Sequence, residues 1–305
     1  MYGFPLCKLC NQPIMGSWMT ALGATWHPEH FLCAACGRPI TDARFSTHQG
    51  APYHIACYER TIVPHCVFCG RPLTGMYMTD RLGQLFCAEH EGDYPRCAFC
   101  NCLVPGGKPI PETGRVRCAA CSASAIESSE VAKPIYREVI GWVSNQGLLY
   151  NNLRLSLEIC GSESLARHLR SHAESHSLGA TMSTTYTQAN GQIISSEVRG
   201  VAVLLGLPEM LFRGVTIHEL GHVWLVVQGV RNLSPQTEEG FCELLSYRYY
   251  QEQNTPESHY HAQGIEHNLD HTYGDGFRYV HALAQKYGLP RLLTDLQMAK
   301  RLPLL

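Results

Sequence analysis

The chain has 305 residues, 45% of them hydrophobic and 16% charged, with a formal net charge of −2. Its length suits two or three compact units, its hydrophobic content excludes a disordered chain, and no apolar run approaches the roughly 18 residues that a membrane span requires. Near-neutral charge argues against a protein built to neutralise phosphates, so neither nucleic acid nor a membrane is the expected partner.

The amino terminus, MYGFPLCKLC, lacks a basic region followed by an apolar core and a small-residue cleavage site, which points to a reducing, cytoplasmic setting. There, closely paired cysteines read as zinc ligands before they read as disulfides. Thirteen of the fifteen cysteines precede residue 122. Cys7, Cys10, His27 and His30 are followed by Cys33, Cys36, His54 and Cys57; the design repeats as Cys66, Cys69, Cys87 and His90, then Cys97, Cys100, Cys118 and Cys121. A two-residue gap lets both members of a pair grip one ion from a tight knuckle, and the longer gaps fit short hairpins that close on the next pair. Sixteen ligands in this order form an internal repeat of about sixty residues and four closed tetrahedral sites, expected to be structural. The run WHPEHFLC, with Trp26 ahead of the third ligand and Phe31 inside the knuckle, resembles LIM domains, which bind two zinc ions in sequential order. Residues 1–60 then read as a LIM domain, although His30 stands where cysteine is usual. Residues 61–122 read as only LIM-like, because six residues separate His90 from Cys97.

The small, polar stretch CSASAIESSE (121–130) marks the main boundary, and residues 123–305 read as a second domain. Helical spacing predicts a linker helix over about 129–146, alternation predicts a strand over 153–159, and a short helix is expected over 163–174. TMSTTYTQ and QIISSEV read as strands joined by a turn at Asn190–Gly191, and VAVLLG (201–206) as a buried or edge strand to which substrate backbone could add. A long apolar helix follows Pro208 and stops at Gly229; further helices are expected over 237–252, 275–287 and 290–300. This half is α+β with helix in excess.

Within the long helix, VTIHELGHVWLVVQG sets His218 and His222 four residues apart on one face, with Glu219 beside the first. Two imidazoles at that spacing point at a common ion, and the glutamate can take a proton from water. A catalytic zinc needs a third protein ligand. TEEGFCELLSYRYY offers Glu238, Glu239 and Glu243, and Glu239-Gly240-Phe241 resembles the Asn-Glu-Gly-Phe run of gluzincin aminopeptidases. Glu239 is therefore the expected ligand, Glu243 a carboxylate that orients a ligating imidazole, and Glu238 dispensable for metal. Tyr273 is a candidate oxyanion donor. His259, His261, His267 and His271 are spaced irregularly and read as a polar loop and helix start, whereas Cys102, Cys160 and Cys242 read as buried thiols without ligand partners.

Through HELGH, RNLSPQTEEG (231–240), LLGLPEML and YGDGFR (273–278), together with the LIM and LIM-like arrays, nearly the whole chain resembles the plant LIM-domain peptidases that limit seed and organ size and are activated by ubiquitin, together with their bacterial relatives. The resemblance implies an α+β chain of tandem LIM and LIM-like zinc modules followed by a gluzincin-like HExxH metallopeptidase domain, cutting internal bonds of protein substrates. It implies one catalytic zinc, held by His218, His222 and Glu239 with Glu219 as general base, beside four structural ones. Ubiquitin or ubiquitinated proteins are partners by resemblance alone. The plant members carry ubiquitin-interacting helices ahead of the LIM domain, and Cys7 stands close to the start of this chain, so a bacterial relative without them is expected. Two other classes fit parts of the sequence. One is a LIM adaptor with an inactive peptidase half, against which an intact Glu219 argues; the other is a RING-like ubiquitin ligase, which Trp26 and Phe31 do not favour. Elemental analysis of the reduced protein should approach about five zinc ions per chain, and a value near about two would remove the LIM assignment.

Overall fold

The computed structural model describes residues 4–107, 109–110, 114–151, 153–168, 177–188 and 193–304. Contacts group the chain into two units, Met1–Asp93 and Tyr94–Leu305, each taken here by itself.

The first unit is built from zinc knuckles on two-stranded hairpins. β1 (Met19–Ala21) pairs with β2 (Ala24–Trp26), β3 (Ser46–His48) with β4 (Ala51–Tyr53), and after α1 (Ile55–Thr61) β5 (Tyr77–Thr79) pairs with β6 (Leu85–Cys87). One local geometry recurs in both units. The residue four after the first cysteine of each knuckle, Asn11, Gly37, Gly70 or Asn101, has a φ between 56° and 70° and donates its N–H to that cysteine's carbonyl at 2.8–2.9 Å. Only glycine and asparagine adopt that conformation readily, which explains their place after the second cysteine. The first cysteine's sulfur also accepts an N–H from the third ligand: His27 to Cys7, His54 to Cys33, Cys87 to Cys66 and Cys118 to Cys97, at 3.4–3.5 Å. The repeat is thus finer than sixty residues, with one module per ion. The apolar core around Phe31, Cys33 and Ile40 is small, with Trp26, Phe45 and Tyr53 against it, and a core of that size leaves folding dependent on metal.

The second unit begins with the fourth knuckle. Composition puts the boundary at 121–130, but Cys97, Phe99, Cys100 and Cys121 are buried in the same core as the long apolar helix. After α2 (Ala119–Ala123), α3 spans Ser129–Asn145, opened by the Ser128 side chain accepting from the Val131 N–H at 3.4 Å. Its Ala132, Ile135, Tyr136, Val139 and Val143 recur at helical spacing and are buried. β7 (Ser156–Cys160), α4 (Ser162–His168), β8 (Gly179–Thr187) and β9 (Ile193–Leu204) follow, and the sheet runs β7-β9-β8, parallel then antiparallel. VAVLLG is therefore not an edge: it continues β9, the central strand, because β7 takes one side of it and β8 the other. The outer strands of the sheet are β7 and β8. The Asn190–Gly191 turn lies outside the described residues, as does the end of the helix expected over 163–174.

α5 (Glu209–Val227) lies among β8, β9 and α3 and packs on α6 (Pro235–Gln253), which explains why it is apolar nearly all round. α5 and α6 run antiparallel: a side chain at Gly214 would strike Tyr250, and one at Gly221 would meet the Cys242 sulfur at 2.8 Å. α7 (Pro256–Glu266) replaces the polar loop expected there; Thr255 and Ser258 form a capping box that starts it. α8 (Gly274–Tyr287) and α9 (Leu289–Ala299) complete the unit. No helix among the described residues is long and apolar enough to cross a membrane.

α6 and α8 approach through paired glycines, since a β-carbon on Gly240 would overlap the Gly276 backbone. Gly240→Ala should therefore cost about 3 kcal/mol, the upper end for overpacking, in denaturant unfolding of the metal-loaded chain. Gly264 is helical, exposed and has open space around its α-carbon, so Gly264→Ala should instead stabilise by roughly 0.5–1 kcal/mol. Equal effects would show that the α6–α8 contact is not tight.

Candidate metal centre

Five groups of side chains among the described residues could hold a metal. Four are the sets read from spacing: Cys7, Cys10, His27 and His30; Cys33, Cys36, His54 and Cys57; Cys66, Cys69, Cys87 and His90; Cys97, Cys100, Cys118 and Cys121. Their chemistry suits zinc. At Cys7 burial pushes the thiol up, but the N–H groups of Cys10 and His27 outweigh it and bring it to about 5, so the sulfur is readily a thiolate. Four cysteine or histidine donors close a tetrahedral ion and leave no position for substrate.

The fifth, His218, His222 and Cys242, lies where α5 faces α6, and Glu239 of α6 meets both of its imidazoles. Ser234 caps α6, its side chain accepting from the Thr237 N–H at 3.2 Å, and Pro235 occupies the first turn. That start sets Glu238 and Glu239 beside the histidines of α5, where the positive end of the α6 dipole favours carboxylates. Glu239 Oε2 lies 3.0 Å from His218 Nε2 and 3.3 Å from His222 Nε2, and the two Nε2 atoms are 3.2 Å apart. An ion about 2.0–2.1 Å from each of three ligands at tetrahedral angles holds those ligands about 3.3 Å apart.

The outer ring nitrogens fix the tautomers. His218 Nδ1 faces Glu243 Oε1 at 3.3 Å, and His222 Nδ1 faces Glu238 Oε1 at 2.9 Å. With both Nδ1 atoms donating to carboxylates, both Nε2 lone pairs point inward at a third acceptor, Glu239 Oε2. Three acceptors in contact require a cation. Burial alone would lower the affinity of His218 for a proton, yet Glu239 and Glu243 outweigh it and raise that affinity well above the ordinary imidazole range. Burial pushes the Glu239 carboxyl up, but His218 and His222 outweigh it and hold the group well below the usual carboxylate range. The donor set thus fits zinc.

Glu219 is buried on α5, its Oε2 accepting from the Thr181 hydroxyl of β8 at 2.9 Å. Gly179, on the same strand, makes room: a β-carbon there would lie 2.9 Å from Glu219 Cγ. Tyr273 also reaches the centre, its ring centroid 6.4 Å from that of His218. Asp270 sets it there by accepting from the Thr272 and Tyr273 N–H groups at 2.7 and 2.8 Å, and Gly274 permits the close approach to Asn268. Burial raises the Tyr273 phenol to about 12, so it remains a donor at neutral pH.

Two expectations need correction. Cys242 is buried but not apart from the centre, because its Sγ lies within 4.8 Å of a ring nitrogen of both His218 and His222. Glu238 is not idle, since it meets His222 Nδ1; the only cue in the sequence is its place in the first turn after the Ser234-Pro235 cap. His259 and His261 sit on α7, and none of His259, His261, His267 and His271 joins a metal group among the described residues.

Comparison with known proteins agrees with the LIM motif and with the family resemblance. A family model described as DA1-like, Protein DA1, matches residues 156–264, and the LIM domain model matches residues 7–62. Protein DA1 of Arabidopsis thaliana is 27% identical over 98% of this chain and 68% of its own length. LIM domain-containing protein HDR3 of Oryza sativa subsp. japonica is 27% identical over 99% of this chain and 74% of its own. LIM domain-containing protein B of Dictyostelium discoideum is 35% identical, over 38% of this chain and 20% of its own. The chain joins an N-terminal LIM domain to a DA1-like domain, and the DA1 family is the one that its relatives support.

Replacing Glu239 by Gln should empty the fifth group while leaving the other four filled, as read by elemental analysis. Glu238→Gln and Glu243→Gln should each weaken zinc at this centre by about 10 to 100-fold, measured by competition with a chelating dye. Unchanged affinity in Glu238→Gln would remove that carboxylate from the centre.

Proposed function

We propose that this DA1-family chain is a zinc-dependent endopeptidase with a gluzincin-like catalytic half, and that its LIM modules serve structure or substrate recognition. The observation that carries the proposal is the convergence of His218 Nε2, His222 Nε2 and Glu239 Oε2 at tetrahedral ligand spacing on the helix that also presents Glu219. Three protein ligands leave one position open, the arrangement of catalytic rather than structural zinc. Zinc bound there supplies a Lewis acid that polarises the scissile carbonyl and makes a neighbouring water more acidic.

The chain's own groups then divide the proton work. Glu219 accepts a proton from the attacking water as its oxygen bonds to the carbonyl carbon, and returns that proton to the amine as the carbon–nitrogen bond breaks. The Thr181 hydroxyl holds the carboxylate in place. Tyr273 donates to the oxygen on which negative charge develops. β8 suits an extended substrate: no strand among the described residues pairs with its outer side, and it passes Glu219 at Gly179 and Thr181. Backbone pairing to such an edge accepts varied sequences. The substrate class is therefore an unstructured protein segment; ubiquitin-related partners rest on the family resemblance alone.

Glu219→Gln should retain fold and zinc but lose peptide cleavage by about 10²–10⁴-fold, whereas wild-type turnover in that variant would overturn the mechanism. Thr181→Val should lower kcat by about tenfold at constant KM and metal content, and Thr181→Ser should restore it.

A further inference from the structure

The Cys97, Cys100, Cys118 and Cys121 group differs from the other three in its surroundings. Cys97, Cys100 and Cys121 are buried in the main core of the Tyr94–Leu305 unit, whereas Cys36 and Cys69 of the second and third groups are exposed. The chain leaving this group runs straight to the start of α5. The Ile126 N–H donates to Leu207 O at 2.9 Å, the Gly206 N–H to Ile126 O at 2.8 Å, and the Glu209 N–H to Ser124 O at 2.8 Å. Ala125 and Pro208 form an isolated bridge between them.

The last of those bonds matters because of what α5 lacks. Its first N–H groups have no partner within the helix, and Pro208 at the N-cap offers no side-chain acceptor, so the Glu209 N–H needs an acceptor from outside the helix. Ser124 O, three residues past the last metal ligand, takes that donor. Arg117, the residue before Cys118, ties the same segments together. Its guanidinium donates to Gly206 O at 2.8 Å, to Glu127 at 2.6 Å and to Ser122 Oγ at 3.1 Å. Gly206, with φ of 81°, leaves the room that the guanidinium occupies, since a β-carbon there would lie 3.0 Å from it. From Glu209 to His218 is nine residues of continuous helix, roughly 13 Å, so displacement of the first turn carries through to the histidines.

We infer that the Cys97–Cys121 metal site and Arg117 position the HELGH helix, so that this knuckle is a working part of the catalytic half rather than of the LIM module. The inference rests on the peptidase reading only for its consequence on turnover. The bound metal fixes Cys118 and Cys121, these fix α2, and the exit of α2 presents Ser124 O and Ile126 to the start of α5. Arg117 is a positioning residue here; it acts through the Gly206 carbonyl.

The test uses the full chain with Arg117→Met and Cys118→Ser, measuring zinc per chain, amide exchange and peptide cleavage. Arg117→Met should keep its zinc, yet the Ile126, Gly206 and Glu209 amides should exchange faster by about tenfold or more, with α9 amides unchanged. Its kcat should fall by about tenfold or more with KM within about twofold, because the site acts on the histidines through the helix rather than on substrate. Cys118→Ser should lose one zinc and show the larger exchange effect; if it fails to fold, the Arg117→Met exchange alone decides. Wild-type protection at Glu209 in Arg117→Met, or in a Cys118→Ser chain that has lost its zinc, would overturn the inference. A wild-type chain that cuts no peptide would sink the peptidase reading but leave the exchange result standing.

Discussion

The distance between α5 and α6 governs this molecule. Three ligand atoms from two helices must meet within 3.0–3.3 Å, which no pair of helices separated by bulky side chains can supply. Glycine solves it on both sides. Gly214 accommodates Tyr250, Gly221 accommodates Cys242, and Gly240 lies on the Gly276 backbone, so α6 is drawn onto α5 and α8 together. The Ser246 hydroxyl donates to Gly214 O at 2.9 Å and adds a polar tie across the same seam. Glycine costs helix stability, by about 1 kcal/mol relative to alanine, and so much of it in one seam makes sense only if proximity offsets that cost.

Charge is the second consequence of that proximity. Glu219, Glu239, His218 and His222 occupy a helix pair that also carries the fully buried, apolar Ile217, Leu220, Val223, Phe241, Leu244 and Leu245. Carboxylates in such surroundings are stabilised only by cations or by hydrogen bonds. The hydrogen bonds are present at the periphery, Glu243 on His218, Glu238 on His222 and Thr181 on Glu219, and they turn every remaining acceptor inward. A metal bound there would complete the electrostatics of the fold, and the affinity for metal would become part of the stability of the α5–α6 pair.

How much of this was legible in the sequence depends on whether spacing alone decides. The knuckles and HELGH are short-range geometry: two residues between cysteines, or four between histidines, leave few ways to arrange the donors, and the structure groups those residues as expected. Glu239 was legible through Gly240 and Phe241, which the helix contact demands. Glu238 was not, because adjacent helical positions differ by about 100° in direction and only the entry angle set by Ser234 and Pro235 decides which ring nitrogen each one meets. Cys242 looked like a buried thiol for the same reason, since its nearness to the histidines follows from Gly221 on another helix. The central place of VAVLLG was hidden because a short apolar run reads alike at an edge and in the middle of a sheet. α7 was missed because the irregular spacing of its histidines read as a polar loop and helix start, whereas Thr255 and Ser258 form a capping box at its start.

The boundary is the most instructive difference. Composition changes at 121–130, where the run of paired cysteines ends, but contacts change at Asp93, where the fourth knuckle joins the second unit. Composition records which residues bind metal, and packing records what that metal holds still. The same four-ligand module, with the same positive-φ turn and the same N–H to sulfur bond, sits on a small aromatic core at Phe31 and inside the large core beside Ile126. In the first setting the ion substitutes for a core too small to fold; in the second it adds rigidity to a core already large. One module can therefore serve two purposes, and the neighbours of each knuckle, rather than its ligands, decide which.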